Sequence, residues 1–103
     1  MADILEVAEG LQYQTSDEKQ AYQITTTNWA SDPTSTSVTA YIDSTNVDVT
    51  STVFPTNSPS ETGDVISLSL LQGLTRGTLY RIEVQFTVGS SVYECYFKVM
   101  CSR

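Results

Sequence analysis

The sequence predicts an all-β sandwich, a single domain over residues 1–103. Three observations predict it. Short runs of alternating apolar and polar residues recur along the chain, turn-forming residues fall between them, and the last quarter forms a hairpin whose register is fixed twice over. With 103 residues, 40% of them hydrophobic, there is room for one core and not for two. Thr and Ser are abundant, Thr suiting solvated sheet faces and Ser suiting turns, so the polarity of the chain does not imply disorder.

The elements follow in chain order. In residues 1–14, Ile4, Val7, Ala8 and Leu11 sit at helical spacing, and Asp3 with Glu6 has the spacing of a capping box. Gly10 and the shortness of the segment oppose a stable helix, so a first strand or an assembly arm is expected. Ala21–Asn28 is the next strand, carrying Tyr22 and Ile24. Ser37–Asp43 turns Val38, Ala40 and Ile42 inward and Thr39 and Tyr41 outward. Val47, Val49 and Val53 mark a short strand, with Asp48 and Thr50 on its other side. Asp64–Leu71 turns Ile66, Leu68 and Leu70 inward and Ser67 and Ser69 outward. Loops are expected at Thr15–Lys19, Trp29–Ser35, Asp43–Asn46 and Phe54–Gly63, giving about seven antiparallel strands and no long helix.

The final hairpin is the strongest local signal. Tyr80, Ile82, Val84, Phe86 and Val88 alternate with Arg81, Glu83, Gln85 and Thr87. After Gly89-Ser90, the residues Tyr93, Cys95, Phe97, Val99 and Cys101 share a face. A two-residue Gly-Ser turn pairs Phe86 with Tyr93, Val84 with Cys95, Ile82 with Phe97 and Tyr80 with Val99. All four pairs are then apolar on one face, whereas a slip of one residue puts Glu94 opposite Val84 in the core.

Within Leu74-Thr-Arg-Gly77-Thr-Leu-Tyr80-Arg-Ile82-Glu-Val84 the order of Leu, Gly, Tyr and alternating aliphatics resembles the E–F corner of fibronectin type III domains. That resemblance implies an immunoglobulin-like sandwich. In it Leu74 plugs one end of the core, Gly77 makes the turn, and the Tyr80 hydroxyl bonds backbone a few residues upstream. The plainer alternative is an inward tyrosine on an ordinary strand. Ile82 stands where an antibody-type domain has cysteine, so no disulfide between the sheets is implied. Trp29 and Pro33 resemble that family's late strand-B pair, although Trp29 has the opposite parity to Ile24. Val49-Thr-Ser-Thr-Val53-Phe-Pro55 and Gly63-Asp-Val-Ile66, in a short acidic chain, resemble in style the Ig-like accessory proteins of tailed bacteriophage virions. That likeness implies a capsid decoration or other virion protein. It would be assembled in the host cytoplasm and would contact a capsid protein or further copies of itself. An adhesion module for a host surface or carbohydrate is the alternative, which an exposed cluster of Trp29, Tyr22 and Tyr41 would favour.

The net charge of −7 opposes binding to nucleic acid, which needs clustered Lys and Arg, and opposes anionic membrane surfaces. Residues 71–103 differ from the rest, with Arg76, Arg81, Lys98 and Arg103 against only Glu83 and Glu94. No apolar run reaches the roughly 20 residues of a membrane span, and Met1-Ala-Asp-Ile4 lacks the basic start of a secretory signal. The absence of histidine removes the commonest general base, the Ser-His-Asp and Cys-His constellations and imidazole metal sites. No phosphate-cradling glycine loop and no calcium-loop motif appear, so no catalytic residues, cofactor or metal are assigned. Two cysteines on one strand cannot make a tetrahedral zinc site, and a surface calcium between Asp43 and Asp48, which flank one loop, is the minor metal reading. Cys95 and Cys101 lie on one strand, about 20 Å apart at strand rise, too far for a disulfide. Buried thiols are expected, with an interchain bridge through Cys101 as the alternative.

Val92, Tyr96 and Met100 repeat every fourth residue on the outward face of the last strand, among Glu94 and Lys98. They are the candidate interface. The competing reading is cross-strand packing, with Tyr96 lying over Glu83. If the last strand ends its sheet, its open edge could also extend a neighbour's sheet.

Overall fold

The computed structural model describes residues 4–6, 11–26 and 32–102. Strands dominate and form two sheets. The larger sheet is ordered from β9 (Ser91–Cys101) through β8 (Leu79–Val88) and β4 (Thr34–Ile42) to β5 (Val47–Asp48). On the far side of β9 lie β1 (Ile4–Glu6) and β2 (Gln12–Gln14). The smaller sheet runs β3 (Gln20–Thr25), β7 (Val65–Leu71), β6 (Ser60–Thr62). A single helical turn, α1 (Thr50–Val53), follows β5.

The β8–β9 hairpin has the expected register, with Phe86 opposite Tyr93, Val84 opposite Cys95, Ile82 opposite Phe97 and Tyr80 opposite Val99. Gly89, at φ +60°, takes the first central position of the turn, where a side chain would be strained. The inward faces of the two sheets meet over Ile24, Ile66, Leu68, Leu71, Ile82, Val84, Phe86, Phe97 and Val99, all buried. Phe86 stacks on Tyr93 at 5.9 Å between centroids, and Tyr22 lies 5.1 Å from Phe97.

Several elements differ from the sequence reading. The N-terminal segment supplies two short strands, and both run parallel to β9. The larger sheet is therefore not wholly antiparallel, and β9 does not end it. Leu70 is exposed and Leu71 is fully buried. The β3–β7 register shifts between Ala21/Leu70 and Gln23/Ser67, placing two β7 residues, Leu68 and Ser69, opposite Tyr22 alone. That bulge reverses the alternation beyond it. Only Val47–Asp48 of the expected Val47–Val53 strand pairs, and Val47 points to solvent. Val49 and Val53 are four apart, which suits one helical turn, and Val53 is buried while Val49 packs against the core.

The loop expected at 54–63 contains β6. β4 begins at Thr34 with a bulge before Ser37, where Ser35 has φ +54°. β3 ends at Thr25, and positions 27 and 28 of the expected strand lie outside the described residues. Trp29 lies outside the described residues, while Pro33 is fully buried.

Candidate functional site

The corner between the sheets comes first, because it fixes how β8 leaves the turn. Tyr80 is 3% exposed, and its hydroxyl accepts the Thr75 N–H at 2.8 Å, five residues upstream. Leu74 is buried beside it, and Gly77, at φ +83°, makes the reversal a Cβ would oppose. The Gly77 N–H reaches the Cys101 carbonyl at 2.7 Å, tying the corner to the end of β9. Replacing Tyr80 by Phe keeps the ring and deletes the acceptor. It should lower stability by about 1–2 kcal/mol, read as a shift in the urea midpoint without a change in slope.

The outward face of the larger sheet is charged and internally paired. Arg81 is the hub. Its Nη1 meets Asp43 Oδ1 at 2.9 Å, its Nε meets Glu83 Oε2 at 2.8 Å, its Nη2 bonds Asn46, and its guanidinium lies 5.0 Å from the Tyr41 ring centre. Lys98 reaches the other oxygen of Asp43 at 3.3 Å. The turn after β4 is thereby pinned to the sheet, and Asp43 is committed to two cations rather than open toward Asp48.

Desolvation pushes the Asp43 carboxyl upward, but hydrogen bonds and charge from Arg81 and Lys98 outweigh it and hold the group below the ordinary carboxylate value. A lowered folded-state pKa means stability that is present above the unfolded value, about 4, and lost as pH falls through the folded value. On acid titration from pH 6 to pH 2 the native chain should therefore lose more stability than Asp43→Asn. The two curves should converge once Asp43 is protonated.

The three candidate interface residues do not form one patch. Val92 is 45% exposed and lies opposite Thr87. Tyr96 is half-buried and faces Glu83 across the ladder, where the packing alternative places it. Met100 is half-buried between Leu79 on one side and Tyr13 on the other. Tyr13 is 65% exposed, and Leu11, just before β2, is also exposed. The apolar surface is thus Leu11, Tyr13, Leu79 and Met100, at the end of the sheet nearest the corner. Sequence reading missed Tyr13 because β2 is too short to display an alternation. Its neighbour Gln14 is fully buried, although polar.

Depressions open on the surface formed by the described residues. One, of about 180 Å³, is lined by Ser37, Thr39, Tyr41, Glu83, Gln85 and Glu94 on the charged face. Glu83 there is already held by Arg81. Another, wider groove is lined by Asp48, Thr50, Ser51, Phe54, Pro55 and Asn57. Thr50 and Asn57 of this groove, with Glu61 beyond it, serve the backbone of β4. The Ala40 N–H donates to Thr50 Oγ1 at 2.9 Å, Asn57 Nδ2 donates to the Val38 carbonyl at 3.0 Å, and the Thr36 N–H donates to Glu61 Oε2 at 3.2 Å. Asp48 holds Thr50 in place by accepting its N–H and its hydroxyl.

Tyr22 and Tyr41 do not share a surface. Tyr22 packs on the core ring of Phe97, and Tyr41 lies under Arg81 on the outer face. Cys95 and Cys101 are both fully buried, and burial pushes the Cys95 thiol up to about 12. A bridge from Cys101 to another chain would require the end of β9 to detach. Among the described residues no group of three or more His, Cys, Asp or Glu is placed to hold a metal, and no helix is long and apolar enough to cross a membrane. Comparison with protein families, with curated proteins and with solved structures finds no match to this chain.

Proposed function

We propose that this chain is a non-catalytic, immunoglobulin-like module that decorates a tailed-phage capsid or other virion surface through protein contacts, after assembly in the host cytoplasm. The observation that carries the binding half is the solvent-facing cluster of Leu11, Tyr13, Leu79 and Met100. On a face otherwise occupied by charged residues, an exposed tyrosine and a half-buried methionine are the kind of residues that anchor protein interfaces. The immunoglobulin-like half is supported by strand order. In such sandwiches strands G, F and C with C′ form one sheet and B, E and D the other, and β9-β8-β4-β5 against β3-β7-β6 has that arrangement. The bond from Thr75 to the Tyr80 hydroxyl adds to it.

Co-sedimentation of the purified chain with tailed-phage capsids lacking their accessory proteins tests the reading. Saturable binding that falls at least tenfold in the Tyr13→Ser/Met100→Ser double variant, with the melting curve unchanged, is the expected result. Absence of binding to such capsids sinks the virion assignment. Binding that ignores both substitutions sinks the assignment of the face.

A further inference from the structure

The edges and faces of the two sheets are treated very differently along this chain. β9 is covered by β1 and β2, and β4 beyond β5 has its backbone taken up by Thr50, Asn57 and Glu61. β6 is only three residues long. Short strands and occupied backbone groups are the usual means by which sheet edges are closed to other chains. β3 has neither. It is six residues long, ends the smaller sheet, and contains no proline and no charged residue.

The face beside it is equally neutral. Of the residues in β3, β6 and β7, Glu61 alone is charged, and its carboxylate is turned toward the Thr36 N–H of β4. The outward positions include Ala21, Gln23, Thr25, Ser67, Ser69 and the exposed Leu70, with Ser60 and Thr62 of β6 beyond them. For a molecule of net charge −7 this is a rare place where a second copy can approach without setting carboxylate against carboxylate.

We propose that two copies of this chain pair antiparallel through β3 and join their smaller sheets into one. The backbone is aimed for it. The Thr26 N–H donates to the Asp64 carbonyl across the β3–β7 side. By strand alternation the amides of Gln23 and Thr25 then point the other way, off the sheet. A twofold axis at Gln23 sets Gln23 opposite the partner's Gln23 and Ala21 opposite the partner's Thr25. It also sets Tyr22 opposite the partner's Ile24, so core-side residues meet core-side residues. The same patch on both copies satisfies a closed twofold contact. This pairing rests on the reading that the chain works through protein contacts, and not on the virion assignment.

Sedimentation velocity from micromolar to millimolar concentration, at physiological salt, is the test. A reversible dimer is expected, and Gln23→Lys, which sets two ammonium groups opposite each other at the axis, should weaken it at least tenfold. Thr25→Pro, which removes an N–H pointing off the sheet, should do the same, with thermal melts showing that both variants fold. Under mild oxidant Gln23→Cys should give a covalent dimer through the new cysteine, the two native thiols being buried. A monomer at every concentration overturns the proposal, as does a dimer indifferent to both substitutions or one that Gln23→Cys does not cross-link. Capsid binding is scored separately with Tyr13 and Met100, so failure of one reading leaves the other standing or fallen on its own result.

Discussion

Replacing Phe86 by Ala should destabilise the chain by about 3–5 kcal/mol, the largest effect expected of any single truncation here. Phe86 is 0% exposed, sits on the inward face of β8 and stacks on Tyr93. Deleting the ring removes its transfer energy and leaves a cavity. The walls around it are strands locked into ladders on both sides, so little collapse can fill the space. Domains of this size have only about 5–15 kcal/mol to lose, so the variant should be partly unfolded at growth temperature. Phe86→Leu retains much of the volume and should lose well under half as much. Urea unfolding of the three proteins decides it. A loss near 1 kcal/mol for Phe86→Ala would mean that the two sheets are not closely packed at that point.

The second large effect is expected from a polar residue. Gln14 is 1% exposed, and its amide ties the two sheets together. Nε2 donates to the Leu71 carbonyl at 2.7 Å and the Glu18 carbonyl at 3.1 Å, while Oε1 accepts the Tyr22 hydroxyl at 2.9 Å. β2 belongs to the larger sheet and Leu71 ends β7 of the smaller one, so this amide bridges the layers where their edges part. Gln14→Leu fits the volume and adds hydrophobicity, yet it leaves the Leu71 carbonyl and the Tyr22 hydroxyl without their partner. The buried Leu71 carbonyl so stranded costs about 1–3 kcal/mol and the half-buried Tyr22 hydroxyl less, and a net loss of about 2–3 kcal/mol is expected. Gln14→Glu should be worse near neutral pH, since a carboxylate then faces a carbonyl. If Gln14→Leu proved neutral in thermal and urea unfolding, the bridge would be a consequence of packing rather than one of its causes.

How much of this was readable from the sequence depends on what fixes each element. The β8–β9 hairpin was legible to the residue because both strands alternate and the turn admits one register. The corner was legible because leucine, glycine and tyrosine each have a local reason to be where they are. Leu70 and Leu71 were not, because the bulge is decided by pairing with β3 and both residues are leucine. Val53 was assigned to a strand because valine favours strands, while its spacing of four from Val49 carried the contrary signal. That Arg81, Glu83, Glu94 and Lys98 share the outer face was legible from their parity. Arg81 as a hub joining Asp43, Asn46 and Glu83 was not, since a turn must close before those groups meet. Tyr13, the most exposed large apolar residue described, was invisible because three residues of β2 show no period. For the same reason the face carried by Val92, Tyr96 and Met100 was drawn along one strand, whereas its apolar part runs across three.

The segment from Val49 to Glu61 has a last consequence. Its threonines, asparagine and prolines have the composition of a spacer, and a protein engineer looking for a place to graft a peptide would choose it. Its side chains act as a surrogate strand along β4, so its sequence is not interchangeable. A graft or a single protease cut near Pro55 would leave the surface chemistry almost unchanged and the melting point little altered, yet would unzip Asn57 and Glu61 from their backbone partners. The result would be a folded protein that precipitates slowly, its shelf life shortened by a strand it never had.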